Sequence, residues 1–265
     1  MTTADAGAPM DIDLHGRPVR VVSTTPGAEA FWRKVGEGRW ETDTFEFVDR
    51  HVDAGTVFVD IGAWIGPISL YAAPVAKQVI ALEPDPVAWA SLERNVALNP
   101  GPISLWHSAL GLEAGELELF AVDGFGRSVT SALGAPGAQS IRVPVKTFGD
   151  VDAAVGDAPC AVKIDVEGYE YPLFDALMEL VLRRKAPLHL SLHPRNQADA
   201  NRAELGLWRA RLDAWRRTWA IIRRLGEHGT VTSALTGRPV TRGELFRRIV
   251  LRARPKNFSV EFVPA

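Results

Sequence analysis

Cysteine occurs once in the 265 residues, at Cys160, so no disulfide can form within the chain. Long apolar runs are missing too, and nothing approaches the roughly 18 consecutive apolar residues that read as a membrane span. The opening segment, MTTADAGAPMDIDLHG, carries acids where a secretory leader needs bases, and it lacks the leader's apolar stretch. There is no internal repeat. Apolar residues make up 46% and charged residues 23%, which excludes disorder, collagen and coiled coil as overall descriptions. These absences lead us to expect a cytoplasmic globular protein with no membrane partner.

A strong net charge is also lacking, but the value of −2 hides an asymmetry. Residues 1–194 hold 15 Lys/Arg against 26 Asp/Glu, and residues 195–265 hold 15 against 6. A basic tail can meet phosphates or an anionic ligand. Here the arginines are interleaved with Trp208, Trp215, Trp219, Ile221 and Ile222. That pattern fits a helix packing on an acidic body with Arg stems covering apolar surface, and the expectation is against nucleic acid.

What is present is alternation. Thr56–Asp60, Gln78–Glu83, Ile103–Ser108, Ala161–Val166 and Leu188–Leu192 read as strands. Pro67–Ala76, Pro86–Leu98, Tyr169–Lys185 and Ala198–Leu225 read as helices between or after them. Leu117–Val122 and Ile141–Thr147 read as further strands, and Thr230–Ala234 and Phe258–Phe262 as the last two. Alternation at this spacing predicts a doubly wound α/β fold with a mostly parallel sheet and a site beyond the strands' carboxyl ends. Residues 1–50 fall outside the rhythm and read as an extension or cap anchored by Trp32 and Trp40; residues 51–265 read as the main domain.

Asp60-Ile61-Gly62-Ala63-Trp64-Ile65-Gly66 lies between a strand and a helix, the context of a nucleotide cofactor. Asp60 narrows the choice. A carboxylate at the strand end repels the pyrophosphate of a dinucleotide but favours the ammonium and sulfonium of S-adenosylmethionine. Glu83 ends the next strand, where an acid can accept hydrogen bonds from ribose hydroxyls. Two polar strips follow. Lys163, Asp165 and Glu167 share one side of their strand, and His189, Ser191 and His193 one side of theirs. Strands buried on both faces should be apolar throughout, so these strips need a reason. For Lys163 the reason is pairing with a carboxylate. Asp165, Glu167 and His193, at strand ends, read as chemistry.

The stretches DIGAWIG, ALEPDPVAWASLERNVALN and KIDVEGYE, with the strand ending in His193, resemble the FkbM family of S-adenosylmethionine-dependent methyltransferases over residues 40–195. The resemblance implies a class I methyltransferase fold, whose seven-stranded sheet ends in an antiparallel strand. It implies O-methylation of a hydroxyl, on a sugar or polyketide-type natural product. It puts Asp60, Gly62, Ala63, Trp64, Gly66, Glu83 and Pro84 around the cofactor, Ser108 and Ala109 near the adenine, and Asp165 between cofactor and acceptor. Trp40 and Glu41 match the family's Trp-Glu lead-in and close over the methionine end. Two positions depart from the pattern: Trp64 stands where Asn is usual, and Ser191 where Glu is frequent.

Methyl transfer to an alcohol needs a general base, and His193 is the first candidate, with Asp165 and Glu167 orienting it or the hydroxyl. Asp165, Glu167, His189 and His193 are also metal-ligand types. Magnesium prefers oxygen ligands, so no metal is expected. A nucleic-acid methyltransferase using the basic tail, and a non-catalytic cofactor-binding module, stay open as alternatives. Pro159-Cys160 lies before its strand, at the wrong end of the sheet for a nucleophile. His15, His51, His107 and His228 read as structural or surface residues, and the 123–131 loop as a candidate substrate wall.

Overall fold

The computed structural model describes residues 8–23, 27–121, 124–127, 130–134, 137–252 and 257–265. The chain opens with a hairpin, β1 (Met10–Leu14) and β2 (Arg17–Val21), and two helices, α1 (Ala28–Gly36) and α2 (Thr42–His51). Then come β3 (Val57–Ile61), α3 (Pro67–Ala72), β4 (Gln78–Leu82), α4 (Pro86–Leu98) and β5 (Ile103–Trp106). A β-rich insertion holds β6 (Ala109–Gly111), β7 (Gly115–Ala121) and β8 (Gln139–Thr147). The rest runs α5 (Phe148–Val155), β9 (Cys160–Ile164), α6 (Glu170–Arg184), β10 (Leu188–Leu192), α7 (Pro194–Ala200), α8 (Arg202–Leu205) and α9 (Leu207–Gly226). It closes with β11 (Gly229–Ser233), α10 (Arg242–Phe246), a π-helical turn at Arg247–Leu251, and β12 (Phe258–Pro264).

The main sheet has seven strands in the order β11-β12-β10-β9-β3-β4-β5. β12 runs antiparallel to both its neighbours, and β10, β9, β3, β4 and β5 are mutually parallel. This is the class I methyltransferase arrangement that the resemblance implies. β3, β9 and β10 are buried at every position, as inner strands covered on both faces must be. Helices line both faces. One core gathers β9, β10, α5, α6 and α9; the other gathers the opposite face of β3 and β4 with α3, α4 and the N-terminal Leu14, Trp32, Phe45 and Phe47.

Three expectations change. The strands expected at 117–122 and 141–147 are β7 and β8, with residue 122 outside the described residues, but β8 pairs with β7 and with β6 in a separate three-stranded sheet. Their alternation explains why: Leu117, Leu119 and Ala121 turn inward while Glu116 and Glu118 turn out, a pattern for one covered face. The helix expected over 198–225 is broken into α7, α8 and α9, with Gly206 at φ +74° between the last two. α3 ends at Ala72, short of the expected end, where Pro74 has no N–H to continue the ladder to the Leu70 carbonyl. No helix among the described residues is long and apolar enough to cross a membrane.

Candidate active site

The turn between β3 and α3 is shaped by backbone rather than side chains. Gly62 and Ala63 donate to the carbonyl of Leu82 at 3.0 and 2.9 Å, which locks the turn to the end of β4. Gly62 sits at φ +81°, and a Cβ there would lie 1.9 Å from the carbonyl oxygen of Asp165. No residue other than glycine fits between β3 and β9 at this point. Asn95 of α4, fully buried, donates to the carbonyl of Ile65 at 2.9 Å and accepts from the Val22 amide at 2.8 Å, so it ties the turn to the N-terminal hairpin.

Trp64 takes a left-handed backbone, φ +51°. That conformation costs a non-glycine residue about 1–2 kcal/mol, and an Asn tolerates it better. Three contacts hold the tryptophan there. Its amide donates to Glu83 Oε2 at 2.7 Å, its indole N–H donates to the Gly126 carbonyl at 3.1 Å, and its ring meets Phe31 edge-on at 4.4 Å. Two more non-glycine residues at positive φ, Glu41 and Glu167, line the same cleft. Strain of this kind collects where function over-determines the backbone.

The cleft occupies about 990 Å³ including its open mouth, at the carboxyl ends of β3, β4 and β9. Glu41, Gly62, Ala63, Trp64, Glu83, Pro84, Ser108, Ala109, Asp165 and Glu167 all line it, as does Trp40. Asp60, Gly66 and His193 are not among the lining residues.

Asp60 corrects the sequence reading. Its carboxylate is fully buried beneath the turn, 3.1 Å from Lys163 Nζ, and accepts from Ser69 Oγ at 2.6 Å. It faces a lysine in place of the cleft, because β3 and β9 pair with Asp60 opposite Lys163. Lys163 does find the carboxylate partner expected of it, and it also donates to the Gly62 carbonyl at 2.8 Å. Gly66 does not reach the cleft either. At φ +95° it lets α3 pack on α4, where a Cβ would stand 2.7 Å from Leu92 Cδ1.

Glu83 faces the cleft with one oxygen accepting from the Trp64 amide and the other from the Asp85 amide at 2.8 Å. Burial pushes its carboxyl up to about 8, against the pull of these N–H groups and of Lys163. Glu41 is pushed to about 8 by burial and then by the neighbouring charge of Asp165. Asp85, which the sequence reading passed over, caps α4 through Val87 and Ala88. It also accepts from the Gly126 amide at 2.6 Å and the Thr130 hydroxyl at 2.8 Å. It thereby anchors the described part of the 123–131 loop, whose Arg127 and Thr130 line the cleft. Residues 123, 128 and 129 of that candidate wall lie outside the described residues.

At the other end the polar strips meet. His193 Nε2 lies 3.3 Å from Asp165 Oδ1 and 3.6 Å from Glu167 Oε2. Nδ1 lies 3.2 Å from Glu170 Oε1, which also accepts from the His193 amide at 2.7 Å. Glu167 is further held by Asn196 Nδ2 at 2.9 Å. Burial works against a charged imidazole, but Glu170, Asp165 and Glu167 raise the ring's pKa to about 10. The three acids favour the protonated ring. Glu167 itself is raised by burial, with His193 pulling the other way. Glu170 was legible only as part of KIDVEGYE, with nothing local to mark it as the partner of His193.

The rest of the histidine strip serves other ends. His189 is buried with Nε2 3.5 Å from Asp43 Oδ2, under α2, and Ser191 pairs with Ser259 at 3.2 Å. His51, read as a structural or surface residue, meets Glu261 at 2.8 Å. His15 stacks on Phe45 and His107 on Trp89.

Residues 60–226 match the family model described as the methyltransferase FkbM domain. The sequence matches no curated protein. Among solved structures, the fold is similar to a Streptococcus mutans protein in complex with SAH, at 12% identity and TM-score 0.47 over 84% of this chain and 96% of that one. It is similar to a methyltransferase FkbM from Methylobacillus flagellatus, at 16% identity and TM-score 0.43 over 80% of this chain and 44% of that one. It is also similar to an rRNA methylase from Streptococcus thermophilus, at 11% identity and TM-score 0.45 over 83% and 93% of the two chains.

Proposed function

Because this chain belongs to the FkbM methyltransferase family, matched from residue 60 to residue 226, we propose that it moves the methyl group of S-adenosylmethionine to a hydroxyl of a small neutral acceptor, a sugar or polyketide-type natural product. The observation that carries the acceptor class is the acidic end of the cleft, where Glu41, Asp165 and Glu167 face inward. Such a wall repels a phosphate backbone and accepts hydrogen bonds from neutral hydroxyls. Leu110, Leu117, Leu119 and Val166 beside it suit the apolar part of a natural product.

The donor fits the other end. Glu83 has a lone pair left on each oxygen for ribose hydroxyls, beside the closely approached backbone of Gly62 and Ala63. Ser108 and Ala109 flank the space for the adenine. The carboxylates of Glu41 and Asp165 favour the positive end of the donor.

Transfer is an in-line displacement. The acceptor oxygen bonds to the methyl carbon as the carbon–sulfur bond breaks, and the thioether leaves uncharged. Positioning supplies much of the acceleration. Asp165 and Glu167 hold the acceptor hydroxyl, and His193, fixed by Glu170, acts as their positioning residue. Glu41 takes the hydroxyl proton. It lines the cleft, and burial brings its carboxyl near working pH.

The basic tail gives little support to an RNA substrate. Arg217 pairs with Asp213, Arg223 with Glu227 and Arg224 with Asp175. No arginine of α9 is among the cleft-lining residues. We further read residues 1–50 as a cap on the 51–265 domain, contributing Trp40 and Glu41. Because the donor is a cytosolic metabolite, we place the reaction in the cytoplasm.

The test is a mass-spectrometric screen for a 14 Da gain on glycosides and macrolides, with ribosomal and transfer RNA as the opposing arm. Methylation of RNA alone would overturn the acceptor class. Near wild-type turnover by Glu41→Gln would remove Glu41 as base.

A further inference from the structure

We propose that Asp165, Glu167 and His193 bind a divalent cation of the Mn²⁺, Fe²⁺ or Co²⁺ kind at the acceptor end of the cleft. One ligand atom from each residue lies within 4.8 Å of the other two. Ligands about 2.1 Å from a common ion stand roughly 3 Å apart when adjacent and 4.2 Å when opposite. The separations of 3.3 and 3.6 Å from His193 Nε2 need only tenths of an ångström of adjustment.

The surroundings match what a ligating histidine requires. His193 is 4% exposed, and its Nδ1 faces the buried carboxylate of Glu170. That contact fixes the ring so that Nε2 points at the two carboxylates, as the outer partner of a metal-bound imidazole does. Nε2 faces Asp165 and Glu167 at 3.3 and 3.6 Å, and a bound ion would take the place of the proton on it. Asp165 Oδ1 is a buried oxygen without a hydrogen-bond donor, and it points at the same spot. Asn196 steadies Glu167, whose backbone is bent to φ +49° in bringing the carboxylate round. Three carboxylates around one ring leave a surplus of buried negative charge that a dication would neutralise.

Asp165 and Glu167 also line the cleft, so the ion would keep positions open toward an acceptor. Three protein ligands with open positions mark catalytic rather than structural metal sites. Two carboxylates and one imidazole are softer than magnesium's preferred oxygen set and harder than a copper or zinc thiolate set. This reverses the expectation of no metal, which rested on a histidine-rich set. The structure takes His189 away to Asp43 and leaves one histidine with two acids.

The ion's role rests on the methyl-transfer reading, since it would hold the acceptor oxygen in place of a bare hydrogen bond. Its existence does not. Chelator-treated protein is titrated with Mn²⁺ and free ion is followed by electron paramagnetic resonance; Co²⁺ absorption reports the ligand field. The expected result is one ion per chain, with affinity at least ten-fold weaker in both Asp165→Asn and Glu167→Gln, while circular dichroism and thermal unfolding show all three proteins folded and calorimetry shows S-adenosylmethionine binding by the wild type. No Mn²⁺ or Co²⁺ uptake by wild-type protein that still binds S-adenosylmethionine would overturn the site. Undiminished uptake by both variants would overturn it too. Loss of S-adenosylmethionine binding by the wild type would instead count against the methyl-transfer reading.

Discussion

Asp60 and Lys163 form a buried ion pair across β3 and β9, 3.1 Å between Oδ1 and Nζ, directly under the glycine turn. The lysine's further bond to the Gly62 carbonyl makes the pair a strut for the turn. Removing one partner leaves an uncompensated buried charge. Lys163→Met should cost about 3–5 kcal/mol. Asp60→Asn with Lys163→Met should recover a large part of that loss. Urea unfolding of the two single variants and the double variant checks it; additive losses would mean that the pair is not coupled.

Gly62 and Gly66 should respond differently to alanine. At Gly62 the new methyl meets a backbone carbonyl at 1.9 Å, and at Gly66 the end of a leucine side chain at 2.7 Å. Strain at positive φ plus overpacking predicts a loss of about 2–5 kcal/mol for Gly62→Ala, and less for Gly66→Ala. Thermal unfolding of the two variants ranks them, and equal losses would contradict the backbone argument.

Trp64→Asn should leave cofactor affinity within a few-fold of wild type. The amide that bonds Glu83 is backbone, and Asn accepts the left-handed conformation more readily. What is lost is the indole bond to Gly126 and the contact with Phe31. The expected cost therefore falls on the 124–127 loop, read as faster amide hydrogen exchange there with little change in calorimetric affinity.

Glu83 makes cofactor binding and stability depend on pH. Its folded carboxyl is raised to about 8 from an ordinary value of 4.5. Below that ordinary value both folded and unfolded chains hold the proton, and the group contributes nothing. Between about 4.5 and 8 only the unfolded chain ionises, so stability falls as pH rises through this window and levels off above it. Ribose hydroxyls and a cationic donor favour the carboxylate. Binding at pH 7 should then release up to about one proton from Glu83. Calorimetry in buffers of different ionisation enthalpy measures the release, which Glu83→Gln should lower by the share that Glu83 supplies, leaving that of Glu41.

The strands and their order along the chain were legible because apolar runs and glycine turns act over a few residues. Gly62, Glu83 and Asp165 were legible as cleft residues because each sits at the end of a recognisable strand, and Ser108 through the family resemblance. β7 and β8 were legible as strands but not as a separate sheet, since alternation tells which face is covered and not what covers it.

From its residues alone this protein was a doubly wound α/β chain with acids at the ends of its parallel strands. Only the folded chain decided what those acids face. Register set Asp60 against Lys163, and the meeting of Glu167, Glu170 and His193 depended on the start of α6 lying beside the ends of β9 and β10. Secondary structure follows from neighbours in sequence. The partner of a charged side chain follows from long-range pairing, and the low polarity around that pairing sets its charge.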